Sequence, residues 1–378
     1  MLSLDIENRL RKRLEQRRSN GNYRVLPRTT LGHDFVSNDY LGLAKSHHIY
    51  EQVLELKPLS ALNDGKFNGS SGSRLLSGNS VYFEELENEL IQFFKAQSAL
   101  VFNSGFNINI GLLSNIADSE DVILLDQNIH ASLKLGAKLS NAQTFYFQHN
   151  DTEHLEKRLI NLRKKKDGLF FVVTEGLFSM DGDIPDLIKM SALCKKYGAH
   201  LIVDEAHSAG LYGDHGEGLV AQHGLEKDIF CRIVTFGKAF GSFGAALLGP
   251  EYLKKSMINF CPSFIYTTSA PINSILTTTT ALKYRKKSQK EIQELFENAR
   301  YFAQQVGSEF IGPIFSFRFN DINKLKNCID VCKSENIKVL PIMSPTVQRG
   351  KERIRVCIHS YNNKKEMDLL ANIIRKSL

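Results

Sequence analysis

Short apolar runs alternate with helix-spaced apolar residues through the middle of this chain. Leu86, Leu90 and Phe93 share one face of a helix predicted over 84–94, and the run 99–102 follows as a strand. Residues 103–107 open a helix carrying Ile110, Leu113 and Ile116. The same alternation predicts strands at 121–125, 144–147, 169–174, 200–203, 230–234 and 245–248. Helices are predicted over 130–139, 152–166 with Thr152 as N-cap, and 187–197. Short apolar strands separated by helices of this length predict an α/β domain with a large, mainly parallel sheet.

The flanks read differently. Leu10 and Leu14, one helical step apart among charges, predict a helix over 1–18, ended by Gly21-Asn22. Residues 35–43 read as a strand running into a polar turn that Asn38 and Asp39 can cap. A Gly- and Ser-rich connection spans 58–80, with Asp64, Lys66 and Arg74 as its charges. Beyond 271 come a helical stretch to 306, strands at 313–319, 337–340 and 353–358, and helices near 321–335 and 363–377. At 378 residues the chain is long for one core. The expected division is 1–57 as an N-terminal substrate-binding extension, 58–270 as the large domain, and 271–378 as linking helices with a smaller C-terminal α+β domain.

Composition narrows the function classes. Net charge is +7 and its bases are spread out, which suits anionic small molecules and argues against nucleic acid. The densest run, Arg163-Lys164-Lys165-Lys166, fits a helix C-terminus. Six cysteines contain no Cys-x-x-Cys pair and no Cys/His cluster with zinc spacing, so no metal site is expected. Acids and bases within the first ten residues argue against a secretory leader, and no apolar run reaches the ~20 residues of a membrane span. A cytoplasmic protein is expected.

The chemistry gathers after the strands, where open parallel sheets bind ligands. Ser104-Gly105-Phe106 begins a helix and offers free backbone N–H groups to an anion. His130, Glu175, Ser179, Asp204, His207, Thr235 and Lys238 follow four further strands. Each has a plain alternative: His130 and Asp204 can be capping residues, and Lys238 a loop lysine. That all five strands end in such groups is what the plain alternatives leave unexplained. Asp204-Glu205-Ala206-His207 spells a helicase ATPase box, but no Gly-x-x-x-x-Gly-Lys-Ser/Thr loop accompanies it, which argues against an NTPase, a reading that nucleotide binding would discriminate. A cofactor with a phosphate, a basic ring nitrogen and an aldehyde uses every piece. The phosphate takes the helix start and Thr235, the ring nitrogen Asp204, and the aldehyde Lys238. Gly237 and Gly241 are expected to let the chain pass close to that ligand.

Eight segments carry a resemblance over nearly the whole chain: 37–44 (SNDYLGLA), 71–80 (SGSRLLSGNS), 104–109 (SGFNIN), 130–133 (HASL), 174–187 (TEGLFSMDGDIPDL), 203–213 (VDEAHSAGLYG), 235–241 (TFGKAFG) and 345–356 (PTVQRGKERIRV). On these the chain resembles the α-oxoamine synthases, pyridoxal 5'-phosphate enzymes of fold type I. The resemblance implies that Lys238 bonds the cofactor aldehyde, Asp204 partners the pyridine nitrogen and His130 stacks on the ring. It gives Ser179 and His207 to the ring hydroxyl, and Gly105, Phe106, Thr235 and Thr267 of a second subunit to the phosphate. It gives Asn38 and Arg355 to the amino-acid carboxylate, and Arg24 and Thr346 to substrate. The family joins an amino acid to an acyl thioester with loss of CO2, as homodimers that share their active sites. The Gly72-Ser73-Arg74-Leu75 form, Pro345-Thr346-Val347 and Arg24 are most similar to the branch that joins L-alanine to a pimeloyl thioester, on coenzyme A or acyl-carrier protein, for biotin. The alternatives are a sister activity using glycine or serine, and a non-catalytic binding subunit; retained Lys238 and Asp204 speak against the second. Phe83 stands where the family usually has His, which puts the thioester preference in question, and Tyr361-Asn362-Asn363 has no role in this reading.

Overall fold

The structure is a computed structural model that describes residues 2–26, 32–60, 68–344 and 346–378. Pro345, with Asp64, Gly65 and Lys66 of the Gly/Ser-rich connection, lies outside the described residues. The first strand, β1 (His33–Asp34), precedes the main sheet. That sheet holds β2 (Ser98–Phe102), β3 (Val122–Asp126), β4 (Gln143–Phe147), β5 (Phe170–Glu175), β6 (Ala199–Asp204), β7 (Cys231–Thr235) and β8 (Ala245–Gly249). Their order is β2-β8-β7-β6-β5-β3-β4. Only the pairings of β8, with β2 and β7, are antiparallel, so β2 runs with the other five and its carboxyl end joins theirs.

Alternation along the strands builds a core on each face. Val122, Leu124, Val172 and Val203 pack with Phe83, Leu86 and Leu90 of the helix Val81–Phe94. Ile123, Leu125, Val173 and Ile202 pack with Ile108 and Leu112 of the helix Gly105–Ile116. Each such aliphatic side chain contributes about 1.5–3 kcal/mol when fully buried. A sheet covered on both faces leaves its strand ends as the open edge.

A third core gathers Phe35, Phe302, Phe315, Leu325, Ile354, Val356 and Met367. It lies under a three-stranded sheet ordered β11-β12-β9, formed by β9 (Ile314–Arg318), β11 (Leu340–Ile342) and β12 (Arg353–Cys357). Between them β10 (Ile337–Lys338) pairs in parallel with β1, tying the start of the described chain to its last third.

Four local expectations are corrected. The strand expected from Phe35 stops at Asp34, because the Asp34 carboxylate accepts the N–H groups of Val36 and Ser37 and turns the backbone off the ladder. Asp151, not Thr152, caps its helix by accepting the His154 N–H at 2.8 Å. The 337–340 strand is two short strands that pair with different partners. An unforeseen helix, His47–Ser60, buries Ile49 and Val53 in the first core.

Tyr361-Asn362-Asn363 gains a structural role. Tyr361 stacks on His359 at 4.7 Å with Lys45 over its other face, and Asn362 donates to the Asp34 carbonyl. Asn363 caps the helix Lys364–Ser377 in a reciprocal box with Glu366. The three residues fasten the turn after β1 to the C-terminal sheet. All six cysteines are free and buried. Among the described residues no helix is long and apolar enough to cross a membrane.

Candidate active site

A cavity of about 280 Å³ opens where the strands end. β2 delivers Asn103, Ser104, Gly105 and Phe106; β3 leads to His130; β5 ends on Glu175. β6 gives Asp204, Ala206 and His207, and β7 gives Thr235, Gly237 and Lys238. Asn38 closes the wall from the turn after β1.

Ser104 caps the helix Gly105–Ile116 by accepting the Asn107 N–H, and the N–H groups of Gly105 and Phe106 have no partner among the described residues. These two donors and the helix dipole favour an anion. A Cβ on Gly105 would lie 2.6 Å from Thr235 Cγ2, so only glycine lets the helix start and Thr235 close on one spot. Gly237 opens onto the cavity, its nearest neighbour for a Cβ being the Ser242 carbonyl at 3.5 Å. Gly241 does something else: at φ +60 a Cβ there would strike Ala44 N at 2.2 Å, so it serves packing against the turn at Leu43 rather than the ligand.

Lys238 has no hydrogen bond or ion pair among the described residues. Burial holds its amine down at about 8, against the opposing pull of Asp204 and Glu175. Asp204 is 5% exposed and accepts from the Ala206 N–H at 3.0 Å and from Asn109 Nδ2 at 2.8 Å. Burial, then the charge of Lys238, keeps His207 well below the usual imidazole range, and its Nδ1 lies 2.7 Å from the Tyr40 hydroxyl. His130 caps the helix Ala131–Leu139 and is lowered by burial.

Two residues had no assigned role in the sequence. Glu175 receives the His130 N–H at 2.7 Å and the Ser179 N–H at 3.4 Å; burial, then Asp204, raise it to about 8. Asn109 bonds Asp204 and Ser132 at once. Both are polar side chains inside apolar surroundings at strand or helix positions facing the edge, which is the signal that marks them.

The remaining expected residues lie outside the lining of this cavity. Buried Arg355, on β12, donates to Asn38 Oδ1 at 2.9 Å and to the Ser179 carbonyl at 2.5 Å. Ser179 and Thr346 line a second cavity of about 480 Å³, whose wall includes His130. Thr346 also lines a third, of about 680 Å³, with Arg24, and Arg24 Nη2 donates to Thr346 Oγ1 at 2.9 Å. Thr267 stands apart from the Lys238 cavity, accepting from Asn103 Nδ2 at 2.8 Å. Phe83 is also apart: it is buried under the Arg74 guanidinium at 4.4 Å and lines none of these three cavities.

A free amine of lowered pKa, a buried carboxylate across from it and a helix start pinched against a threonine define a class of site. The description "aminotransferase class I and II" matches residues 33–374, and the chain belongs to that family. Within it, the relatives make the chain an α-oxoamine synthase, an enzyme that uses pyridoxal phosphate. A putative 8-amino-7-oxononanoate synthase of Methanocaldococcus jannaschii is 34% identical over 97% of this chain and 98% of its own. One of Halalkalibacterium halodurans is 34% identical over 89% and 84%. A serine palmitoyltransferase structure from S. paucimobilis, with bound pyridoxal phosphate–myriocin, has a TM-score of 0.87, 25% identity, and covers 99% of this chain and 98% of its own.

Proposed function

We propose that this enzyme joins L-alanine to a pimeloyl thioester, releasing CO2 and the free thiol and forming 8-amino-7-oxononanoate for biotin synthesis. One observation carries the choice of acyl group. Three cavities run in sequence, sharing His130 and then Thr346, and the last holds the Arg24 guanidinium. A pimeloyl chain ends in a carboxylate that needs such a cation. A palmitoyl or acetyl chain has none to offer, which sets the serine palmitoyltransferase-like reading second.

In this reading Gly105, Phe106 and Thr235 hold the cofactor phosphate, joined by Thr267 of a second copy, and Asp204 holds the proton of the ring nitrogen. His130 would stack on the ring, and His207 and Ser179 would bond its hydroxyl. The cofactor, bound through Lys238, supplies an electron sink for the charge that develops at the amino acid's α-carbon. Arg355, fixed by Asn38 and the Ser179 carbonyl, receives the substrate carboxylate. Lys238, freed once the amino group of the substrate has taken its place on the cofactor, would be an amine near 8 able to take the α-proton and to return a proton after CO2 has left. Exposed Phe106 and Phe243 at the cavity mouth, and Tyr266 beside Thr267, favour a homodimer with shared sites, and the free thiols suit the cytoplasm.

The test is thiol release from the cofactor-loaded enzyme with alanine, glycine or serine, each with pimeloyl-, acetyl- or palmitoyl-coenzyme A. Alanine with the pimeloyl thioester is expected to turn over fastest. Fastest turnover of serine with palmitoyl, or glycine with acetyl, overturns the reading. No turnover until a second protein is added favours a binding subunit.

A further inference from the structure

Along the sheet-edge lining of the cavity a line of hydrogen bonds runs from Asp204 through Asn109 and Ser132 to His130. Asn109, 2% exposed, donates from Nδ2 to Asp204 Oδ2 at 2.8 Å and to Ser132 Oγ at 3.0 Å. Ser132, fully buried, has its Oγ 2.7 Å from His130 Nδ1, and its own N–H reaches the same nitrogen at 3.3 Å. Directions follow from chemistry. A carboxylate only accepts, so Asp204 forces the Asn109 amide to present its NH2. Both hydrogens of that amide are then used, and Ser132 Oγ, having accepted one, has its own hydrogen left for His130. A backbone N–H and a hydroxyl both donating to Nδ1 leave that nitrogen without a proton.

We propose that Asn109 and Ser132 are positioning residues that hold His130 neutral in its Nε2–H tautomer, so that the imidazole meets the cavity as a donor at Nε2. A ring nitrogen's state is set by the bond the other nitrogen makes. The charged groups facing this imidazole are Asp204, Lys238 and Lys134, and Glu175 grips its backbone N–H. The amide in the middle does not ionise, so the line fixes orientation and cannot carry a proton from Asp204 to His130. The inference rests on the cavity geometry and on His130 facing the cofactor; it does not depend on which acyl group is used.

The experiment is nitrogen NMR of enzyme labelled with 15N-histidine, with and without pyridoxal phosphate, the His130 signals being identified by their loss in His130→Gln. Wild type is expected to show an unprotonated Nδ1 and a protonated Nε2 through neutral pH. In Ser132→Ala the Nδ1 signal moves toward a mixture of tautomers, and kcat falls about tenfold or more while the KM for the amino acid and the affinity for cofactor stay within about twofold. Asn109→Ala shows the same change in smaller degree. A protonated Nδ1 in wild type overturns the proposal without any variant having to fold. Unchanged His130 signals in a folded Ser132→Ala overturn it equally, whereas failure of the substrate test above leaves these signals as predicted.

Discussion

The two walls of the site, which spans the run of three cavities, are built on opposite plans. The sheet-edge wall, from Gly105 to Lys238, is delivered by the carboxyl ends of β2, β3, β5, β6 and β7, each side chain within a few residues of a strand. The other wall is assembled from the two ends of the chain: Asn38 meets Arg355 across 317 positions, and Arg24 meets Thr346 across 322. The first wall carries the groups suited to chemistry common to a family. The second carries the cations Arg355 and Arg24, to which the proposed function gives the substrate carboxylates. A site divided in this way can change its substrates by altering residues far from the strands that hold the reactive groups.

Lys238→Ala strikes the first wall hardest. Turnover is expected to fall by about 10⁴ or more with every substrate pair, and borohydride no longer fixes the cofactor to the protein. Arg355→Leu strikes the second. Truncating a buried, hydrogen-bonded guanidinium costs about 2–5 kcal/mol. kcat/KM for the amino acid then drops by roughly two to three orders of magnitude while cofactor affinity, measured by absorbance titration, holds. Equal losses of cofactor and amino-acid binding would erase the division between the walls.

A smaller effect probes what supports the first wall. His149 bridges Asp126 at 2.8 Å and Asp183 at 2.6 Å, linking the end of β3 and the loop after β4 to the turn beyond Ser179. Its two carboxylate partners outweigh burial and raise it to about 10. Its stabilisation is therefore full below about 6.5, its unfolded value, and is lost as pH rises through 10. His149→Ala is expected to cost about 2 kcal/mol at pH 6, less than a fully buried pair because the site is partly exposed. Thermal melts of wild type and variant should converge above pH 10; a constant gap across that range contradicts the bridge.

The two plans also explain what was legible in the sequence. Strand ends are local: an apolar run followed by Asp204 or Lys238 states its own position, and the main strands fall within a residue or two of their expected bounds. Competition within a turn is less legible. Asp34 captures two backbone N–H groups and ends a strand that the apolar pattern carries onward, and Asp151 outcompetes Thr152 for a cap one residue earlier. Long-range pairs have no local signature. The roles of Arg24, Asn38, Thr346 and Arg355 follow from resemblance alone, and Asn109 and Glu175 gain meaning only when the edge is assembled around them. Phe83 lies in the core under Arg74, in a small cavity shared with Thr267 and apart from this chain's own run of cavities leading to Arg24.

The wall made from the chain ends is expected to choose the acyl group by its far carboxylate. The direct measurement is the ratio of kcat/KM for pimeloyl- and heptanoyl-coenzyme A with L-alanine, in wild type and in Arg24→Leu. One charge-assisted hydrogen bond is worth about 1.5–3 kcal/mol, so wild type should prefer the pimeloyl thioester by about ten- to a hundredfold, and Arg24→Leu should bring the ratio near one. A wild-type ratio near one, or a preference that survives in Arg24→Leu, would contradict the account.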